Sequence, residues 1–367
     1  MPALRPGLEL FAGYHSAQVE VEVRLNTNES PYPPPASWQE DLAGALATIP
    51  FHRYPDRQAT ALRAALGHLH GVDAAQVFCA NGSNEVLQSL LLAYGGPQRR
   101  AVVFEPTYAL HSHIARVTGT EVETGRRARD YRIDLEPAAA LVRHVEPAVV
   151  FLCSPNNPTG GCDTPDLVAG LLEASTGLVV VDEAYGQFSS WSALDLRRPQ
   201  GVGGVRLAPE LARRLVVVRT FSKTWAMAGV RLGYLVGDPE VVAACDKVVL
   251  PYHLSAIVQA AGVLALSYHH EMVERVALVT AERDRLAGAL ADMAVDVTPS
   301  EANFILFQPK DRAARVVWKG LVDHSVLVRD CSGWPGLEGC LRVTVGTPTE
   351  NDRFLEALAA VLAEPVS

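Results

Sequence analysis

The chain has 367 residues, 49% of them hydrophobic, which is enough for one large core and a smaller one. The formal net charge of −9 argues against a nucleic-acid partner, and the longest apolar runs are far too short to span a bilayer. The first residues lack a signal-peptide core, and the six cysteines show no zinc spacing. These features predict a cytoplasmic protein with no metal, membrane or nucleic-acid partner.

From about Tyr54 to Tyr268, short apolar runs alternate with helical patterns. The predicted strands are 77–80, 101–104, 149–152, 178–181, 215–218 and 233–236. Stretches such as 84–94 and 165–174 have the periodicity of helices. This alternation predicts an α/β fold in which helices cover both faces of a βαβ sheet.

A long amphipathic stretch, 271–293, leaves this region and has no Gly or Pro before Gly288. Further strands are predicted at 303–307, 325–328 and 341–345, and a terminal helix at 352–363. We therefore expect a second, smaller α+β domain after the large one.

Two polar residues, Asp182 and Lys223, lie just past two of the β-branched runs. Runs of this kind predict buried parallel strands, and ligands of open α/β sheets bind outside the carboxyl ends of such strands. Taken alone, the acid is typical of a helix cap and the lysine of a solvated loop. Together they suit a pyridine aldehyde cofactor, since an acid can keep the ring nitrogen protonated and an amine can bond to the aldehyde.

Four motifs in order extend this pattern: 154–160 (SPNNPTG), Asp182 with Tyr185 three residues later, Ser222-Lys223, and 229–234 (GVRLGY). In these motifs the chain resembles the fold type I, class I/II aminotransferases, which depend on pyridoxal 5'-phosphate (PLP). The resemblance implies a large domain with a mostly parallel mixed sheet between helices, and a smaller α+β domain. It divides the chain into an N-terminal arm with the start of the small domain (1–52), the PLP-binding domain (53–269) and the small C-terminal domain (270–367).

The resemblance also implies roles around the PLP ring. Asp182 would face the pyridine nitrogen, Tyr185 and Asn157 would bond the phenolic oxygen, and Tyr108 would stack on the ring. Lys223 would carry the cofactor and later move the substrate proton, which requires a lowered pKa. Lys223, Asp182 and Tyr185 are thus the expected catalytic residues.

The cofactor phosphate needs donors of its own. Gly82 permits a sharp turn before a helix whose first residues are Ser83 and Asn84, and the first amides of a helix point at anions. By resemblance, Ser222 and Arg231 join them as phosphate ligands. Tyr54 would reach the phosphate from the other subunit, which implies a homodimer with shared active sites.

The resemblance narrows to the histidinol-phosphate aminotransferases over nearly the whole chain. It rests on 13–17, on 25–32 (LNTNESPY, with Ser30 where Asn is usual), on 250–255 and on Arg329 with its neighbours. It implies that L-histidinol phosphate donates its amine to 2-oxoglutarate in a ping-pong cycle of histidine biosynthesis. Since a phosphate dianion calls for more than one arginine, the expected substrate-binding residues are Tyr14, Tyr252, Arg329 and Arg342.

Other functions stay open from the residues alone. An aromatic amino-acid aminotransferase shares the fold, the cofactor and often Arg342, but needs only one carboxylate clamp. A decarboxylase of a phosphorylated amino acid would release carbon dioxide and leave the cofactor in its aldehyde form. A catalytically idle PLP-binding regulator usually carries a fused DNA-binding module, which the acidic charge and the intact Lys223, Asp182 and Arg342 set disfavour.

Overall fold

The computed structural model describes residue 2 and residues 19–364, which form two β-sheets surrounded by helices. The strands are β1 (Val23–Leu25), β2 (Val77–Ala80), β3 (Arg100–Glu105), β4 (Glu121–Arg126), β5 (Val149–Cys153), β6 (Leu178–Asp182), β7 (Leu215–Thr220), β8 (Gly233–Val236), β9 (Val295–Val297), β10 (Phe304–Pro309), β11 (Val326–Asp330) and β12 (Leu341–Thr344). The helices are α1 (Ala36–Ala47), α2 (Thr60–His70), α3 (Ser83–Tyr94), α4 (Leu110–Val117), α5 (Leu135–Val145), α6 (Pro165–Ala174), α7 (Pro209–Ala212), α8 (Pro239–Val248), α9 (Ala256–Ser267), α10 (His269–Ala291), α11 (Ala314–Asp323) and α12 (Pro348–Ala363).

The larger sheet has seven strands in the order β2-β8-β7-β6-β5-β3-β4. Strands β3 to β7 pair in parallel, whereas β8 runs antiparallel to both β2 and β7. The carboxyl ends of β5, β6 and β7 therefore meet at one edge of the sheet, as the apolar runs predicted.

Both faces of this sheet are covered, which explains why its central strands are apolar without alternation. In β5, Val149 and Phe151 pack into a core cluster with α3, α4 and α8. Val150 and Leu152 point to the other face, into a cluster with α2, α5, α6 and α9. Every side chain of β5 is thus buried, although successive residues pack into different cores on opposite faces of the sheet.

The smaller sheet has five strands in the order β1-β11-β12-β10-β9. Its first strand, β1, comes from the N-terminal part of the chain and pairs in parallel with β11, while the other pairs are antiparallel. Phe307 and Phe354 pack edge to face within its core, beneath α11 and α12. The domain boundaries at 52/53 and 269/270 stay predictions.

The predicted α/β architecture is confirmed, and all six strands predicted for the large sheet are present. Strand β4 was not predicted. It lies at the edge of the sheet, and its sequence, EVETGR, lacks an apolar run. Within the described ranges, no helix combines the length and the apolar character needed to cross a bilayer.

Candidate active site

A cavity of about 360 Å³ opens between the two sheets, at the carboxyl ends of β5, β6 and β7. Residues 26–29, which follow β1, close one side of it. The predicted site residues that line the cavity are Ser83, Asn84, Tyr108, Asn157, Asp182, Tyr185, Ser222, Lys223, Arg231, Arg329 and Arg342. Folding thus gathers residues from three distant parts of the chain around one space.

Asp182 ends β6 and is almost fully buried. One carboxylate oxygen accepts a hydrogen bond from the backbone N–H of Ala184 at 3.1 Å, and the other lies 3.0 Å from Nε2 of His111. The His111 ring stacks on Phe151 at 5.0 Å, so the imidazole is held on two sides. His111 was missed in the sequence, where the available signal was its position three residues after Tyr108.

Lys223 follows β7, and its Nζ donates to the backbone oxygen of Thr27 at 3.0 Å. Burial lowers the pKa of Lys223 to about 7, and the positive charges of Arg342 and Arg231 act in the same direction. The carboxylate of Glu29 opposes them and raises it. The amine therefore exchanges its proton near neutral pH, as a proton-transfer group requires.

The Tyr185 hydroxyl lies at the junction of the two sheets. Nδ2 of Asn28 donates to it at 2.9 Å, and Nδ2 of Asn157 lies 3.5 Å away. Burial raises the pKa of Tyr185, so the hydroxyl keeps its proton at neutral pH. Asn28 was not predicted as a site residue, although it lies in the motif at 25–32; Thr344 Oγ1 donates to its side-chain oxygen at 2.9 Å.

At the opposite end of the cavity, polar groups cluster at the start of α3. Ser222 Oγ accepts a hydrogen bond from Nη1 of Arg231 at 3.2 Å, beside the first turn of the helix. Gly82 has a φ of 83°, and a Cβ there would lie 2.5 Å from Nη2 of Arg231. A Cβ on Gly233 would lie 2.3 Å from the backbone nitrogen of Ser83. Helix amides, a hydroxyl and a guanidinium converge here only because two glycines leave room.

Tyr108 lies between these two ends of the cavity. Its hydroxyl donates to Asn84 Oδ1 at 3.2 Å, and its ring meets His111 edge to face at 5.4 Å. The Tyr108 side chain is thereby held by α3 on one side and by His111, which contacts Asp182, on the other.

Arg329 and Arg342 are direct cross-strand partners on β11 and β12. Arg342 is buried; it donates to the side-chain oxygen of Asn157 and, at 2.9 Å, to the backbone oxygen of Asn26. Its Nε has no hydrogen-bond partner among the residues that the structure describes. Arg329 lies with its guanidinium carbon 5.6 Å from the ring centre of Trp334, which also lines the cavity and was not predicted.

Two of the predicted residues that the structure describes, Tyr54 and Tyr252, do not line the cavity. Tyr54 is 80% exposed and Tyr252 is 41% exposed, and their rings stack on each other at 4.4 Å. Tyr14 lies outside the described residues.

The chemistry of the cavity suits one kind of ligand. A buried carboxylate, a neutral phenol and a lysine of lowered pKa occupy one part, and donors for an anion occupy the other. A ring with a basic nitrogen, an aldehyde and a phosphate matches this arrangement.

Comparison with known proteins gives the same result. The sequence model of the family "Aminotransferase class I and II" matches residues 20–358. A histidinol-phosphate aminotransferase of Frankia casuarinae is 45% identical over 99% of this chain and 91% of its own length. That of Thermobifida fusca is 46% identical over 97% of this chain and 94% of its own length.

A solved structure has the same architecture. Histidinol-phosphate aminotransferase from Sinorhizobium meliloti, in complex with pyridoxal-5'-phosphate, superimposes with a TM-score of 0.82 at 25% identity, covering 93% of this chain and 91% of the other. The fold is therefore fold type I, and the cofactor is PLP. The chain belongs to the class I and II aminotransferase family of PLP-dependent enzymes.

Proposed function

We propose that this enzyme transfers the amino group of L-histidinol phosphate to 2-oxoglutarate, giving imidazole acetol phosphate and L-glutamate in L-histidine biosynthesis. The names of its full-length relatives support this substrate. The observation that carries the proposal is the pairing of Arg329 and Arg342 across β11 and β12, both on the cavity that holds Lys223.

Two arginines on one wall of the cavity suit a phosphate group of the substrate better than they suit a single carboxylate group. A phosphate ester brings two negative charges and several acceptor oxygens, and guanidinium groups bind such anions through paired N–H donors. The buried Nε of Arg342 is one donor without a protein partner in the described part of the chain. In the second half-reaction the same arginines would bind 2-oxoglutarate.

Bound PLP supplies the electron sink that makes the α-proton of the substrate acidic. In the proposed mechanism Asp182 keeps a proton on the ring nitrogen, and His111 and the Ala184 amide hold its carboxylate in place. Tyr185 and Asn157 would donate hydrogen bonds to the phenolic oxygen, and Tyr108 would cover the ring. The cluster of Ser83, Asn84, Ser222 and Arg231 would bind the phosphate.

Lys223 would move the proton. Its amine must be neutral to accept a proton from the α-carbon, and the burial that lowers its pKa to about 7 leaves much of it neutral under cellular conditions. The ammonium group formed in this way can then deliver the proton to C4′ of the cofactor. One residue thereby serves both directions of the transfer.

The proposal includes a homodimer in which Tyr54 reaches the partner's cofactor phosphate. Tyr54 and Tyr252 stack on the surface, and Phe51 and Leu250, close to them in sequence, are 68% and 79% exposed. Large apolar side chains exposed together are typical of protein interfaces. A cytoplasmic location is part of the same proposal, since all six cysteines are free, as in a reducing compartment.

The first test compares amino donors. The holoenzyme is mixed with histidinol phosphate, phenylalanine or tyrosine, and the cofactor absorbance follows the first half-reaction. We expect histidinol phosphate to react fastest, and Arg329→Ala to slow it roughly 10- to 100-fold because a charged hydrogen bond is lost. Phenylalanine should be affected far less. Equal losses for both donors would favour an aromatic amino-acid aminotransferase.

A further inference from the structure

The connection between β11 and β12, residues 331–340, folds as a compact loop over the cavity. Its backbone closes on itself: the N–H of Cys331 donates to the oxygen of Cys340 at 3.1 Å, and that of Trp334 to the oxygen of Cys331 at 2.9 Å. Cys331, Leu337 and Cys340 are buried against Leu306 of β10. The loop therefore holds its shape through its own bonds and core.

This loop also contacts the large sheet's connections. The Tyr131 hydroxyl lies 3.8 Å from Sγ of Cys340, and a Cβ on Gly336 would lie 3.6 Å from Cδ of Pro106. Pro106 comes two residues before Tyr108, which lines the same cavity. Connections of the large sheet thus support the loop.

Trp334 is the loop's aromatic side chain on the cavity. It is half-buried against the cluster of Leu306 and Leu337, and the guanidinium carbon of Arg329 lies 5.6 Å from its ring centre. A guanidinium placed over an indole is attracted by the ring's negative face.

We propose that Trp334 is a positioning residue for Arg329, and through it a determinant of specificity for phosphate-bearing substrates. The indole limits the orientations of the guanidinium, so less side-chain freedom is lost when an anion binds. The inference rests on the proposed function, because it assumes that Arg329 meets the phosphate of the substrate. Its consequence is that the affinity for phosphate depends on an aromatic ring that bears no charge.

The test uses the PLP-loaded enzyme and inorganic phosphate as the probe. Calorimetry measures phosphate binding to the wild type, Trp334→Ala, Trp334→Phe, Arg329→Ala and the Arg329→Ala/Trp334→Ala double variant. We expect Trp334→Ala to weaken binding roughly 3- to 30-fold, and Trp334→Phe to retain most of it, since a phenyl ring keeps the face that attracts the cation. The double variant should bind no more weakly than Arg329→Ala, because Trp334 acts through Arg329.

Steady-state kinetics separate positioning from a general structural role. Trp334→Ala should raise KM for histidinol phosphate by a similar factor and leave kcat near the wild-type value. Pro335→Ala, an exposed change in the same loop, is the matched control and should alter neither constant. The inference is overturned if Trp334→Ala binds phosphate as tightly as the wild type, or if it weakens binding equally without Arg329. A wild type that binds phosphate in this Trp334-dependent way but does not turn over histidinol phosphate would refute the proposed function alone.

Discussion

At the scale of single residues, the surroundings of Asp182 and Lys223 assign them opposite tasks. Asp182 accepts a hydrogen bond from a backbone amide and adjoins His111, and these contacts hold its side chain in place. Lys223 is partly buried near two arginines, and its withdrawal from water and these charges disfavour its ammonium form and lower its pKa to about 7. Asp182 ends β6 and Lys223 lies three residues past the end of β7, so two adjacent parallel strands bring both side chains to one edge of the sheet.

The lowered pKa of Lys223 predicts the pH dependence of the first half-reaction. Once the substrate has released it from the cofactor, the Lys223 amine is protonated and inactive below a pH of about 7 and neutral above it, so the rate should rise through that pH and then level off. An ordinary lysine would still be protonated there, because its pKa is near 10.5. Stopped-flow absorbance across the pH range measures the midpoint.

Glu29→Gln tests the cause of this midpoint. Removing the carboxylate that raises the pKa of Lys223 should move the midpoint to lower pH. Glu123→Gln, an exposed change on the edge strand β4, serves as the control and should leave it in place. A midpoint that moves upward in Glu29→Gln contradicts the electrostatic account.

At the scale of elements, the approach of β8 to the start of α3 shapes the proposed phosphate site. Gly233 on β8 lies against the amide of Ser83, and Gly82 takes a backbone conformation that favours glycine. The first amides of α3 can then point at an anion beside Arg231 and Ser222. A strand, a turn and a helix thus act together, although each contributes few side chains.

Gly82→Ala should damage this arrangement. The backbone strain of alanine at a φ of 83° lowers the free energy of unfolding by about 1–3 kcal/mol, and the new Cβ displaces the Arg231 guanidinium. Urea unfolding of the apoprotein and PLP titration measure the two effects. Gly288→Ala is the control: its Cβ meets nothing within 4 Å in α10, so stability should hold or rise. PLP affinity equal to that of the wild type in Gly82→Ala would remove the proposed site from this turn.

At the scale of the whole molecule, the cavity depends on both sheets and on the segment after β1. Asn28 reaches Tyr185 across a separation of 157 residues, and Arg342 reaches Asn157 across 185. In the proposed dimer the cavity also depends on a second copy of the chain, because Tyr54, which stacks on Tyr252 at the surface, would reach the partner's cofactor phosphate.

Subunit mixing tests the shared site. Lys223→Ala and Tyr54→Ala should each lose activity, since one lacks the amine and the other the partner's phosphate contact. Equal amounts of the two variants, mixed under conditions that exchange subunits, should regain about one quarter of the wild-type activity. About half of the dimers are then hybrids, and each hybrid has one intact site out of two. Size-exclusion chromatography with light scattering checks the dimer. Mixtures no more active than their components would contradict the contribution of Tyr54 across the interface.

The sequence by itself determined the central strands and the polar residues that follow them. Strands buried on both faces must be continuously apolar, so 149–152, 178–181 and 215–218 were visible without any structure. Asp182 and Lys223 follow such strands, and the order of the motifs around them carried the resemblance to PLP enzymes. Edge strand β4 has no such constraint, since one side faces water, and it was missed.

Only the tertiary structure decided which groups act on those residues. His111 beside Asp182 and Trp334 beside Arg329 belong to no motif, because a hydrogen bond or ring contact needs only the right position. Asn28 lies in the motif at 25–32, but that motif does not indicate its contact with Tyr185. The lowered pKa of Lys223 likewise arises from burial and from arginines distant in sequence. Local patterns record which surfaces are buried, whereas the contacts that tune a site form only when remote segments pack together.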